Sequence, residues 1–485
     1  MSSSAPEPLS EDEKTLHRLG YKQELARRMG GFSNYAISLS IICILAGGIT
    51  SFQVGFCSVG GASIGIGWPV SCLFSLIVAA AMAQVASAFP SAGGLYHWAS
   101  ILGGRGCGWV TAWFNLAGLV TVLAAINAGT WDFIVGAMQL DMGERAALVK
   151  LLGVAVITFS QALFNHRGIR VTTLLTDFSG WWILIVSLVL TGVLLFNVRE
   201  FHFERLVTFT NYSGLPVATP VFPKVENLGW LFALGLLLPA YTITGFDASA
   251  HTSEETIDAA RNVPRGIVRS VLVSGIFGWL MLCAIVLAIP KMDEAAAQGG
   301  NVFYWTVNSV LPASLAKLLY LGIGVAQYFC GLATLTSASR MAFAFARDGG
   351  LPAPLRRVSP KARTPAVAIW VMAALAVLFM VAVPYTTIAA VCVIFLYLSY
   401  VLPSVAGFFA YGRTWTRMGP WQLGRWYRLL AFVSVLFCAF LIVVGMQPPN
   451  AQAAWIVCGA LALMGLVWVA FERRRFRGPP PMSAE

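Results

Sequence analysis

Ala46-Gly47-Gly48-Ile49-Thr50-Ser51 stands in the middle of the first apolar run of the chain, residues 32–58. Paired glycines followed by two hydroxyl residues are poor helix interior. The run also exceeds the roughly 20 residues that one straight membrane crossing needs. The stretch therefore predicts a helix that unwinds at mid-depth. Unwound backbone survives in lipid only where it lines a cavity, and its exposed N–H groups can bind an anion such as a carboxylate. A second interruption is expected at Tyr241-Thr242-Ile243-Thr244-Gly245-Phe246-Asp247. Pro239 precedes it, and Asp247 falls inside a helix-length apolar segment. Glycine also serves close packing between membrane helices, which would explain a single Gly-Gly pair. Two interruptions five runs apart, one beside an embedded acid, point to a site.

The rest of the chain sets the frame for those breaks. Of its 485 residues 58% are hydrophobic and only 11% charged, against about 25% charged in a soluble domain. A soluble enzyme, a nucleic-acid-binding domain and a disordered scaffold are excluded on that ground. Apolar runs fall at roughly 32–58, 64–89, 107–138, 149–165, 171–198, 227–250, 267–290, 312–345, 365–383, 386–411, 427–447 and 453–471. Each is longer and more continuously apolar than a barrel strand of about 10 alternating residues, so the spans are helices. The expectation is an all-α membrane protein of twelve transmembrane helices. Corresponding interruptions in two halves mark the binding site of many transporters. Breaks in runs one and six fit a 5+5 inverted repeat of the leucine/sodium symporter type, followed by two C-terminal helices. The expected boundaries are a tail over 1–30, a helical domain over 31–471 and a tail over 472–485. Within the domain, repeat one covers about 31–198, repeat two about 227–411, and the extra helices about 427–471. Gly478–Met482, rich in proline, reads as a disordered end.

The net charge of +11 is a topology signal. Arg145, Lys150, Arg199, Arg205, Lys224, Lys291 and Lys317 fall on one side of the twelve runs. The remaining 25 of 32 Lys and Arg fall on the side of the termini. The positive-inside rule then makes both termini cytoplasmic, and a nucleic-acid partner is not needed to explain the charge. Residues 1–30 mix acids and bases without an apolar core, so they are not a signal peptide. The nine cysteines are odd in number, form no CxxC pair and sit in or beside apolar runs, which reads as small buried hydrophobes.

Several segments, in order, resemble the amino acid–polyamine–organocation superfamily. Gly47-Gly48-Ile49-Thr50-Ser51 stands at its first-span glycine break. Phe89-Pro90-Ser91-Ala92-Gly93-Gly94-Leu95-Tyr96 is similar to its Pro-x-Ala-Gly-Gly-x-Tyr segment, and Asn165-His166-Arg167-Gly168 to its Asn-x-x-Gly. Gly245-Phe246-Asp247 with His251, Glu254-Glu255 and Pro264 resembles the span-six signature. Arg340 with Ala346-Arg347-Asp348-Gly349-Gly350-Leu351-Pro352 resembles the end of span eight. The form Asp247-x-x-x-His251-x-x-Glu254-Glu255 looks most like the amino acid/choline transporter branch, which includes γ-aminobutyrate and choline permeases. The resemblance covers roughly residues 30–470. It implies that a substrate carboxylate meets Gly47, Gly48, Ile49, Thr50 and Ser51. Its ammonium would meet freed carbonyls around Tyr241, Thr242, Ile243, Thr244 and Gly245, with Phe246 as an aromatic gate or wall. Half-helix dipoles agree, favouring anions at N-termini and cations at C-termini.

Several proton-coupled members of that superfamily carry a lysine in span five. Here that stretch is Asp177-Phe178-Ser179-Gly180-Trp181-Trp182, without one. The coupling candidates are therefore Asp247 and Asp177, with His251 third. Sodium is the competing ion, with Thr334, Thr336, Ser337 and Ser339 as oxygen donors. Glu254, Glu255 and Asp258 with Arg261 and Arg265 read as an ion-pair network closing an inner gate, and Arg347-Asp348 as part of the same region. His97 and His166 read as interfacial. No HExxH or Walker A motif occurs, so no metal site, cofactor or enzymatic activity is expected. The reading is an inner-membrane secondary transporter, a permease in contact with the lipid bilayer. It would import an amino acid or γ-aminobutyrate-like zwitterion by alternating access, with H+ as coupling ion. The rivals are a choline or polyamine transporter, an amino acid exchanger, and a membrane sensor that has lost transport.

Overall fold

The computed structural model describes residues 9–382 and 385–482. The ends of both expected tails, 1–8 and 483–485, lie outside the described residues. Apart from two isolated backbone bridges, all regular structure among the described residues is helical. Among the described residues, ten helical segments are long and apolar enough to cross a membrane. Two further apolar helices, Leu228–Thr242 and Ala366–Val381, are shorter. The first of these is short because the sixth run breaks, as its sequence predicts: the helix ends at Thr242, and a new one starts at Ala248.

The centre is built on Arg105–Met138 and Ala313–Arg347, of 34 and 35 residues. At 1.5 Å per residue each is about 50 Å long. That exceeds a hydrocarbon core of about 30 Å, so they lie tilted or project beyond it. They pack on each other, and Tyr385–Ala410 packs on the first of them. The peripheral helices show the opposite pattern. Ala451–Val467 buries only Ala453 and Val457 and turns Trp455, Leu463 and Leu466 outward. Large outward apolar side chains are what a helix facing lipid requires.

The two terminal segments meet on one face. Ser10 caps Glu11–Arg18 through a capping box with Glu13, satisfying two otherwise orphaned donors. The chain then buries Leu16, Leu19, Tyr21 and Leu25. The Asp12 carboxylate accepts from the backbone N–H of Asp258 and Ala259 (2.8 and 2.9 Å), so it caps the helix Ala259–Ala288 from a distance in sequence. Gly478–Met482 departs from the expected free end. Pro480 rests so closely on Gly20 that a β-carbon there would lie 2.6 Å from it.

Candidate functional site

The two broken helices cross at the centre. The first run is helical over Gly31–Ile42, turns at Cys43 with φ +23°, and resumes at Gly47. The unwound residues are thus Cys43–Ala46, which begin three positions before the expected stretch and share only Ala46 with it. Gly47-Gly48-Ile49-Thr50 is instead the first turn of the outer half-helix. Contact explains the shift: a β-carbon on Gly47 would lie 2.9 Å from the Thr242 α-carbon. The glycine is required by the crossing of the two chains. The second break is reciprocal. Gly245 has φ +81°, which favours glycine, and a β-carbon there would lie 2.3 Å from Ile41 Cγ2.

A small cavity of about 20 Å³ lies between the breaks. Ile41, Ala46, Gly47, Tyr241, Thr244 and Gly245 line it from the breaks themselves. Leu119, Val122, Ile126, Cys330 and Leu396 line it from the surrounding helices. A vestibule of about 430 Å³ lies beyond it, lined by Thr50, Ser51, Tyr241, Phe222, Pro449 and Asn450 among others. Tyr241 borders both spaces. Thr50 and Ser51 reach the vestibule, but their hydroxyls donate back to the carbonyls of Ala46 and Gly47. Ile49 and Ile243 are buried, and the Thr242 hydroxyl donates to Leu238 O at 2.8 Å. Phe246, expected as a gate, does not line either space. It is fully buried with its ring 5.1 Å from that of Tyr400.

Asp247 is fully buried just past the second break. Its Oδ1 accepts from the Tyr400 hydroxyl at 2.8 Å and its Oδ2 from Asn115 Nδ2 at 3.0 Å. His251 Nε2 lies 3.2 Å from the same Oδ2. Asp177 sits elsewhere: its Oδ2 accepts from Ser33 at 3.0 Å. Ser33 is ten residues before the first break, roughly 15 Å along a helix.

Two of the carbonyls freed at the first break are already partnered by side chains. Gln327 Nε2 donates to Leu45 O at 3.2 Å, and the Cys330 thiol to Ile41 O at 3.2 Å. Of the expected sodium donors, Thr334, Thr336 and Ser339 each donate to backbone carbonyls of their own helix.

A family model described as amino acid permease matches residues 29–471. The chain belongs to the amino acid permease family. Over 96% of its length it is 31% identical to amino-acid permease BAT1 of Arabidopsis thaliana, of which it covers 95%. It is 30% identical to a BAT1 homolog of Oryza sativa subsp. japonica, again over 96% of the chain and 94% of that protein. It is 28% identical to the GABA-specific permease of Saccharomyces cerevisiae, over 96% of the chain and 86% of that protein. A permease of this family is a transporter and not an enzyme.

In this permease two buried bidentate ion pairs lie on the side that carries the termini. Arg340 holds both oxygens of Glu255 (2.9 and 3.0 Å), and Arg347 holds both of Glu254 (2.8 and 3.0 Å). Arg261, expected among the gate residues, pairs with Asp258 at 3.4 Å on the exposed surface, because the two are one turn apart on the same helix. His97, expected at an interface, is buried and lies 3.1 Å from Asp348. Asp348 Oδ2 also accepts from Tyr21 and Tyr96, both at 2.8 Å. Arg347 lies over the Tyr21 ring. The expectation missed Asn115, Gln327 and Tyr400. The first two carry a sequence signal, being amides inside long apolar runs, where an unpaired polar group is costly. Tyr400 carries none.

Proposed function

We propose that the protein is a secondary active transporter that imports an amino acid or γ-aminobutyrate-like zwitterion across the cytoplasmic membrane by alternating access. The supporting observation is the crossing of two broken helices, with a vestibule on one side and buried ion pairs on the other. On this reading the twelve runs are twelve spans in a 5+5 inverted repeat plus two helices, with both termini cytoplasmic. The N-terminal turn at Gly47, Gly48, Ile49, Thr50 and Ser51 takes the carboxylate. The C-terminal end at Tyr241–Thr244 takes the ammonium, as half-helix dipoles favour.

The central cavity supports a neutral substrate. Its span-borne lining of Leu119, Val122, Ile126, Cys330 and Leu396 is uncharged. A polyamine would need additional acids facing it, and Asp247 is turned into its own donors. The cavity is smaller than any amino acid, so entry requires the breaks to part, with Tyr241 moving. H+ is the coupling ion, with Asp247 ahead of Asp177 because only the former adjoins a break.

The test is uptake of labelled γ-aminobutyrate and neutral amino acids into proteoliposomes under an imposed pH gradient. Saturable uptake that weakens in Tyr241→Ala and Thr50→Ala is expected. No uptake of any amino acid, amine or choline under any ion gradient overturns the reading.

A further inference from the structure

We infer that Asp247 and His251 hold one proton between them as a carboxylate–imidazolium pair, and that the Ala92 peptide ties this proton to the closure of the terminal face. The inference rests on the proton-coupled reading above and assigns His251 a part that Asp247 alone cannot play.

His251 is fully buried. Its Nδ1 lies 3.2 Å from the Ala92 carbonyl oxygen, and its Nε2 lies 3.2 Å from Asp247 Oδ2. A carbonyl has no proton to give, so Nδ1 carries N–H. On the carboxylate side, Asn115 Nδ2 donates to Oδ2. The Tyr400 oxygen accepts from Gly245 N–H at 3.0 Å, which leaves its own proton for Asp247 Oδ1 at 2.8 Å. Donors on both oxygens favour the ionised carboxylate, which is acceptor-only. Nε2 must then carry N–H as well, and the ring is an imidazolium. Moving the proton to the carboxyl gives the other tautomer and leaves the count unchanged. Removing it places a ring lone pair against a buried carboxylate, which is a lost hydrogen bond and an unpaired buried charge.

The Ala92 peptide faces both ways. Its carbonyl takes the His251 proton, and its N–H donates to Glu254 Oε1 at 3.1 Å. Glu254 is the carboxylate clamped by Arg347. Gly94 lets the loop reach the ring, since a β-carbon there, at φ +48°, would lie 3.2 Å from His251 Nδ1 and Cε1. Among the described residues, Asp247 is the charged side chain recorded in hydrogen-bond or ion-pair contact with His251. When the Arg347–Glu254 clamp opens, the peptide is freed and Nδ1 loses its acceptor. The N–H bond then breaks, and the proton passes to a water admitted from the terminal face as hydronium. The pair keeps one negative charge until it is reprotonated from the vestibule side.

The experiment uses the full-length protein with ring-15N histidine in nanodiscs at pH 7. Expected is a doubly protonated ring signal that disappears in His251→Gln and in Asp247→Asn, and falls severalfold in Arg347→Gln. Asp247→Asn keeps the histidine, so it remains a test if His251→Gln does not fold. Identical charged-ring signals in wild type, His251→Gln and Asp247→Asn overturn the proton assignment. A signal unchanged in Arg347→Gln overturns the link to the closure. The second readout is proteoliposome uptake of γ-aminobutyrate with a trapped pH dye. His251→Gln should lose pH-driven accumulation by at least about tenfold while keeping γ-aminobutyrate exchange within about threefold. A wild-type protein that shows the ring signal but transports without moving protons overturns the proton-coupled reading instead.

Discussion

At the scale of single residues, the energetics turn on buried charges that have partners. Arg340 and Glu255 are both fully buried and bidentate. Desolvating such a pair costs much of what the attraction returns, but removing one partner strands the other, at about 3–5 kcal/mol. Glu255→Gln should therefore lower the thermal midpoint of the purified protein markedly. The double variant Glu255→Leu with Arg340→Met should recover part of that loss. A double variant no more stable than the single one would show that the cost does not come from the stranded guanidinium. These residues were legible as ionisable groups in a chain with few of them, which is why Asp247, Glu254 and Glu255 stood out. Their partners were not. Arg261 is close to Glu254 in sequence, whereas Arg340 and Arg347 are about 85 and 93 residues away and meet the acids only through helix packing. Proximity in sequence was the wrong guide.

At the scale of elements, sequence located both breaks but mistook the cause of one. In the sixth run Gly245 adopts φ +81°, so composition and conformation agree. In the first run the left-handed residue is Cys43, and Gly47 is needed for its closeness to Thr242. The two adjacent glycines therefore separate by experiment. A β-carbon on Gly48 would meet Met281 Cε at an ordinary 3.6 Å, while on Gly47 it would press on backbone at 2.9 Å. Gly48→Ala should leave uptake within about twofold, helped by the better helix propensity of alanine. Gly47→Ala should lower uptake severalfold by forcing the helices apart. Gly245→Ala adds a left-handed penalty of about 1–2 kcal/mol and should be the worst of the three. Equal effects at Gly47 and Gly48 would contradict this account of the crossing.

At the scale of the whole molecule, the low charge content and the broken helices pointed to a helical membrane protein with a transporter-type site, and the superfamily resemblance pointed to a permease. They did not show that the polar N-terminal segment packs into the buried polar cluster around Asp348. Its residues look like a free tail because only scattered positions, Leu16, Leu19, Tyr21 and Leu25, are buried. Tyr21 carries the join. It donates to Asp348, stacks on His97 and lies beneath Arg347. Asp348 follows directly after the helix Ala313–Arg347, and its titration reports on this assembly. Burial alone would raise its carboxyl. The hydrogen bond and charge of His97, then Arg347 and the Tyr96 hydroxyl, outweigh burial and hold it below the usual carboxylate value. A carboxyl depressed in the folded state stabilises the fold above its unfolded value near 4, and that contribution is lost as pH falls through the folded value. This cluster should therefore be stable at neutral pH and loosen below about pH 4. Asp348→Asn removes the titrating group, so its stability should fall less between pH 6 and pH 3 than that of wild type. Tyr21→Phe deletes one donor to Asp348 and should move the acid-induced loss to higher pH, because fewer bonds then hold the carboxylate ionised. Acid unfolding curves of the three proteins measure this directly. A Tyr21→Phe curve that superposes on wild type would place Tyr21 outside the cluster, despite its contacts.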